Sequence, residues 1–131
     1  MKNILIICLL SLAIMSCNSN SSDPKNIKEK KYLYVEISSE KVFGTNRAKV
    51  DTIEIIAKSD SLAYLKAFEK YCISQKASVL INEQLKAAGV EEGYSSSHEF
   101  RLFNENSDEI CENVVPIDVL KKIALKINAI K

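Results

Sequence analysis

An apolar segment near the N-terminus limits how much of this chain can fold. Residues 4–15 (ILIICLLSLAIM) contain no charge, and Lys2 precedes them. The segment is well short of the roughly 20 apolar residues that a helix needs to cross a bilayer. A positive residue followed by a short apolar run is typical of a secretory signal, which is removed from the mature protein. We therefore predict that residues 1–16 are a signal peptide and take no part in the fold.

Ser16 and Cys17 directly follow the apolar segment. This pair resembles the lipobox of bacterial lipoproteins of the Bacteroidetes type, in which signal peptidase II cleaves before a cysteine that carries a diacylglyceryl group. The resemblance covers residues 1–17 and concerns processing, not activity. It implies that Cys17 is lipidated and attaches the chain to a membrane, since two or more acyl chains anchor a protein stably. An ordinary signal peptide cut after Ser16 is the alternative.

Residues 17–31 are predicted to be the lipidated cysteine and a flexible tether. Their composition, rich in Ser, Asn and Lys, buries too little apolar surface to offset the entropy of ordering. A coil of this length spans on the order of 20 Å. Asn18 and Ser19 follow the cysteine, whereas an Asp directly after the cysteine would resemble an inner-membrane retention signal. Asp23 is the one acidic residue in the first half of the segment. The expected location is the outer membrane, facing the periplasm.

The remaining residues, 32–131, suffice for one small domain with one core. The chain has 18 basic and 17 acidic residues, and removal of Lys2 with the signal leaves 17 of each. Nucleic-acid binding needs a concentrated basic surface, which this balance does not provide. We therefore expect the membrane, through the lipid anchor, and an unknown protein or glycan as partners.

Three segments are predicted to be strands: residues 32–38, 49–57 and 98–104. The second also contains a capping pattern for a helix, but its β-branched residues favour a strand. Residues 43–46 (FGTN) have the composition of a turn between the first two strands. Aliphatic side chains alternate along the first strand and are predicted to face the core: Leu33, Val35 and Ile37.

Two segments are predicted to be amphipathic helices. Ser59 is the expected N-cap of the first, whose apolar stripe runs to about Lys76. The stripe then shifts to another side, which indicates either a break near residues 77–78 or one long helix with different partners along its length. Gly89 is the predicted end of the helical region. Pro116 begins the last helix. The pattern predicts an α+β fold, a small antiparallel sheet of about three strands with two or three helices packed on one face.

Cys72 and Cys111 remain after lipidation of Cys17. In an oxidising compartment such a pair is expected to form a disulfide, although both cysteines also suit the alternative of small buried hydrophobic residues. Together with His98 these cysteines contain no two metal-ligating residues close in sequence, so we predict no metal site.

His98 is the only histidine, and residues 95–97 before it are serines. Neighbouring residues of a strand point to opposite faces, so Ser97 and His98 are not expected to meet. The acidic residues between 105 and 112 lack the spacing of a calcium-binding loop. We therefore predict no catalytic residues and no cofactor, and the protein is not expected to be an enzyme.

Tyr32 and Tyr34 are the candidate binding face, because aromatic side chains on an exposed sheet contact peptides, glycans or proteins. The sequence thus favours a lipid-anchored cell-envelope protein with a non-catalytic binding or scaffolding role. The alternative is a periplasmic inhibitor or immunity-type lipoprotein, for which residues 93–97 are the predicted plug loop.

Overall fold

The structure, a computed structural model, describes residues 27–90 and 94–130. The predicted signal peptide, the lipidation site Cys17 and most of the predicted tether lie outside these ranges. The described residues form strands β1 (Lys30–Val42), β2 (Thr45–Ala57) and β3 (Tyr94–Phe103), and helices α1 (Asp60–Ala87) and α2 (Ile117–Ala129). A short 3-10 helix, Glu112–Val114, precedes α2. β1 begins two residues before the predicted start of the domain.

The three strands form one antiparallel sheet in the order β2-β1-β3. This arrangement confirms the predicted α+β fold and the interpretation of residues 49–57 as a strand. β1 is the central strand, so its side chains lie between neighbours from β2 and β3. A functional residue on β1 is therefore held on both sides.

A two-residue turn joins β1 to β2. Phe43 and Gly44 both have positive φ, 47° and 80°. Two consecutive residues in the left-handed region are the signature of a type I′ turn, whose twist matches that of the strands it joins. The predicted turn is confirmed, and it fixes the register in which Val42 pairs with Thr45.

Helix α1 is continuous from Asp60 to Ala87, with a length of about 42 Å at 1.5 Å per residue. Of the two alternatives, one long helix is thus correct, and α1 has no break near residues 77–78. The hydroxyl of Ser59 accepts a hydrogen bond from the backbone N–H of Leu62, as the predicted N-cap should. Gly89 has φ of 82°, and the N–H of Val90 donates to the carbonyl of Leu85, which is a Schellman cap.

The buried side of β1 is the reverse of the predicted one. Tyr32, Tyr34, Glu36 and Ser38 face α1 and are buried, whereas Leu33 is 46% exposed and Ile37 is 37% exposed. The predicted burial of Leu33, Val35 and Ile37 is therefore wrong. Small residues on α1 explain this, because Ala63 and Ala67 belong to the same core as the tyrosines and leave room for large rings.

Helix α2 packs against α1, burying Leu120 and Ile127. Leu120 joins Ile110 and Val115 in the core that α1 shares with the sheet. Within the described ranges, neither helix has the length and apolar character needed to cross a bilayer.

Candidate functional site

A carboxylate is buried between α1 and the sheet. Glu36 on β1 is 7% exposed. Its Oε2 accepts hydrogen bonds from the hydroxyl of Tyr34 at 2.7 Å and from the hydroxyl of Ser74 at 3.1 Å. Burial of a carboxylate is costly unless donors satisfy it. These contacts hold the carboxylate in one orientation.

His98 links this carboxylate to a serine on α1. The imidazole Nδ1 lies 3.0 Å from Oε1 of Glu36, and Nε2 lies 2.7 Å from Oγ of Ser78. An ionised carboxylate only accepts hydrogen bonds, so in the neutral imidazole the proton is on Nδ1, and Nε2 is then the nitrogen that accepts from the serine hydroxyl. Ser78, His98 and Glu36 are called the triad below. Their order of contacts, hydroxyl to imidazole to carboxylate, is that of a serine nucleophile with its base and orienting acid.

Register and helix periodicity bring the triad together. His98 pairs with Ser38 across the β1–β3 ladder, next to Glu36 on the same face of β1. Ser74 and Ser78 are one turn apart on α1 and therefore share a face. Ser97 lies on the opposite face of β3 from His98. Sequence reasoning missed the triad because its members are on three elements and no short motif joins them.

A cleft opens beside Ser78 and His98, with a volume of about 520 Å³. Its walls carry neutral polar groups and one aliphatic side chain. The lining residues are Gln75, Ser78, Val79, Asn82, Ser95, Ser96, Ser97 and His98. A second recess of about 350 Å³ lies on the other side of His98 and is charged, since Lys49, Asp51 and Lys70 line it with Glu36. The triad thus lies between a neutral cleft and a charged one.

An aromatic cluster surrounds the carboxylate end of the triad. The ring of Phe100 lies 5.0 Å from that of Tyr71, 5.5 Å from that of Tyr64 and 5.7 Å from that of Tyr34. Burial raises the pKa of Tyr34 above its ordinary value, and the hydrogen bond to Glu36 adds to the effect. The Tyr34 phenol therefore stays neutral and remains a donor to the carboxylate.

The predicted binding face of Tyr32 and Tyr34 is wrong. Tyr32 is 2% exposed and Tyr34 is fully buried. The hydroxyl of Tyr32 donates to Asp60 at the start of α1, at 2.7 Å, and that of Tyr34 donates to Glu36. Because both phenols are satisfied under α1, the rings belong to the core and are inaccessible to a ligand.

The predicted disulfide between Cys72 and Cys111 is also not formed, since both cysteines are free. Cys111 is exposed and directly precedes the 3-10 helix. Cys72 is buried on α1. The alternative of a small buried hydrophobic residue therefore fits Cys72 and does not fit Cys111.

The acidic segment after β3 is held by contacts with β3 and within itself. Glu109 accepts hydrogen bonds from two nitrogens of the Arg101 guanidinium, Nε at 2.9 Å and Nη2 at 2.6 Å, and this pairing lowers the pKa of Glu109. Asp108 accepts from the side chain of Asn104. In the described part of the chain, no group of three or more His, Cys, Asp and Glu side chains is placed to hold a metal ion.

The side of the sheet away from α1 carries aliphatic groups in an exposed layer. Val50 is 61% exposed and Ile56 is 45% exposed, and they lie beside the outward residues of β1. Phe103 lies under the guanidinium of Arg101, 5.3 Å from it. We call this surface the open face; its apolar members are Leu33, Val35, Ile37, Val50, Ile56 and Phe103.

Comparisons with protein-family models, curated proteins and solved structures found no match to this chain.

Proposed function

We propose that this chain is a lipid-anchored protein of the cell envelope that binds a partner protein through the open face. Its place is the periplasmic side of the outer membrane, to which the acyl chains of Cys17 attach it. The role is one of binding or scaffolding, which requires no catalytic chemistry at this face. Support for the anchor comes from the apolar segment, the Ser16–Cys17 pair and the polar tether.

The exposed aliphatic layer of the open face carries this proposal. Soluble domains seldom leave a contiguous apolar patch on a sheet unless another molecule covers it. Five aliphatic residues and Phe103 form such a patch across three strands. A flat surface of this kind suits the flat surface of a protein and lacks the concavity that a small molecule needs.

Charges around the patch favour a protein over a glycan or a lipid surface. Lys31 pairs with Glu54 at 3.2 Å, and Arg101 pairs with Glu109. The rim therefore presents both signs of charge, which complements the mixed polar rim of another protein. Anionic lipid would require an excess of basic residues. A glycan favours exposed aromatic rings, and Tyr32 and Tyr34 are buried.

Site-specific photo-crosslinking in the native membrane tests this proposal. A crosslinker at Val50 should yield one discrete adduct, and the purified adduct partner should bind wild-type protein in a titration. Val50→Lys should weaken this binding at least tenfold. Leu125→Lys is the matched control, since Leu125 is 70% exposed on α2, away from the sheet. Equal binding by both variants, or no adduct from Val50, would refute the open face as the docking surface.

The identity of the adduct also separates this role from the inhibitor alternative. A hydrolase or toxin as partner, with its activity suppressed on binding, would identify an inhibitor. Most of the predicted plug loop is not a loop, because Ser95, Ser96 and Ser97 belong to β3, while Gly93 lies outside the described residues.

A further inference from the structure

We propose that Ser78 is an activated nucleophile that takes the acyl group of a small, uncharged polar ester bound in the neutral cleft. This activity goes beyond the proposed binding role and does not depend on it. The open face and the cleft use different residues, so each proposal can fail alone.

The contacts within the triad assign the three roles. Nε2 of His98 is 2.7 Å from Oγ of Ser78, which is within reach for removal of the hydroxyl proton. Nδ1 is 3.0 Å from Oε1 of Glu36, which fixes the tautomer and orientation of the ring. Glu36 is held in turn by Tyr34 and Ser74. A base supported in this way is preorganised, so little rearrangement precedes the reaction.

The His98–Glu36 pair is buried, which strengthens its electrostatic interaction, while one side of the triad faces the cleft. The side chains of His98 and Glu36 are 10% and 9% exposed, so little water screens the pair. Ser78 and His98 nevertheless line the cleft, whose volume suits a ligand of modest size. The cleft walls carry amides and hydroxyls and no formally charged Asp, Glu, Lys or Arg side chain. We therefore infer an uncharged, polar substrate.

Asn82 supplies the donor for the oxyanion. Ser78 lies inside α1, where its backbone N–H is engaged in the helix and cannot serve as the donor. Gln75 and Asn82 both line the cleft from the same helix. The amide of Gln75 donates to the hydroxyl of Tyr71 at 2.6 Å. Asn82 lies one turn beyond Ser78 on the same side of α1, and we assign its amide as the donor to the developing negative charge.

The reaction balances with water as its one co-reactant. Oγ of Ser78 bonds to the ester carbonyl carbon while its proton passes to Nε2 of His98. The tetrahedral intermediate then expels the alcohol, which takes the proton from Nε2 as the ester C–O bond breaks. Water attacks the acyl-serine by the same route, and the carboxylic acid and free Ser78 are released.

A fluorophosphonate probe applied to the intact lipoprotein tests the nucleophile. Ser78 Oγ should form a bond to phosphorus with loss of fluoride, giving one label per chain at Ser78. Ser78→Ala should abolish labelling. Ser96→Ala is the matched control, because Ser96 lines the same cleft without contacting His98 in the triad, and it should label normally. Circular dichroism verifies that each variant is folded.

Two further variants distinguish an activated serine from a merely structural one. His98→Gln should slow labelling by about 10²–10⁴-fold. Asn82→Ala should lower the hydrolysis rate of p-nitrophenyl acetate by about 10²-fold or more, with the fold unchanged. Absence of label at Ser78 in folded wild-type protein, or equal labelling of folded His98→Gln, would overturn the proposal. Val50→Lys should leave labelling unchanged, so a failure of the docking proposal remains distinguishable.

Discussion

Lys76 on α1 ties the end of α2 to the rest of the domain. Its Nζ donates to the carbonyl of Ile127 at 2.9 Å and also contacts the carbonyl of Ile130. These carbonyls are at the C-terminal end of α2, where the helix leaves acceptors unpaired and where the dipole favours a cation. One ammonium group therefore caps the second helix and joins it to the first.

Lys76→Ala should destabilise the domain by about 1–2 kcal/mol, because it removes a charge-assisted cap. Lys121→Ala is the control, since Lys121 is exposed on α2, and it should change stability by about 0.5 kcal/mol or less. Urea melts of the two variants measure the difference. Equal stabilities would show that the Lys76 contacts contribute nothing.

Two leucines on neighbouring strands test which face of the sheet is buried. Leu102 is fully buried, whereas Leu33 is 46% exposed on the open face. Leu102→Ala should cost about 2–5 kcal/mol, and Leu33→Ala should cost less than about 1 kcal/mol. Denaturant melts compare them directly. A larger cost at Leu33 would mean that the sheet faces are assigned the wrong way round.

The two free cysteines should differ in reactivity. Burial raises the pKa of the Cys72 thiol, with a smaller contribution from Glu69, while Cys111 is exposed. Because the thiolate is the reactive form, N-ethylmaleimide should modify Cys111 in the native protein and Cys72 only after unfolding. Peptide mass mapping locates the adducts. A disulfide-linked peptide, or modification of Cys72 in the native protein, would contradict the structure. The control variant Cys111→Ser should take up no label while it is folded.

Tyr32 should make the stability of the domain fall at alkaline pH. Burial and the hydrogen bond to Asp60 raise the pKa of Tyr32 from 10.0 to about 12. In the unfolded chain the phenol ionises near pH 10, so its contribution is fully present below that pH and is lost as pH rises to about 12.

Urea melts of wild-type protein and Tyr32→Phe between pH 9 and pH 12 test this linkage. The stability advantage of the wild type should shrink across the range, because phenylalanine does not ionise. An advantage that stays constant would show that Tyr32 titrates alike in both states.

Cys17→Ser tests the anchor. The variant should take up no labelled fatty acid and should accumulate as precursor or soluble protein, since signal peptidase II requires the modified cysteine. Palmitate labelling and membrane fractionation measure both effects. A membrane-bound product of mature size from Cys17→Ser would contradict lipidation at this position.

Local signals predicted much of the fold. Ser59 caps α1, residues 43–44 form the hairpin turn, and Gly89 ends α1, as their side-chain chemistry indicates. Each of these features depends on a few consecutive residues. The α+β fold class follows because each element has one face to cover.

The buried face of β1 could not be predicted from the alternation of its side chains. A period of two gives two faces but does not say which is buried. Hydropathy favours Leu33, Val35 and Ile37, yet Tyr34 and Glu36 satisfy each other and can be buried together. The triad was missed for a related reason: the contacts of His98 depend on strand register and helix packing, which only the folded chain determines.

The direction of β1 sets how far the cleft lies from the point where the chain enters the sheet. The strand begins at Lys30, and the serines of the cleft pair with the far half of β1, near the hairpin turn. About nine residues of extended strand separate the two ends, or about 30 Å. The cleft therefore opens at the end of the sheet opposite to the entry of the chain, so whatever holds the N-terminal segment leaves the mouth of the cleft clear.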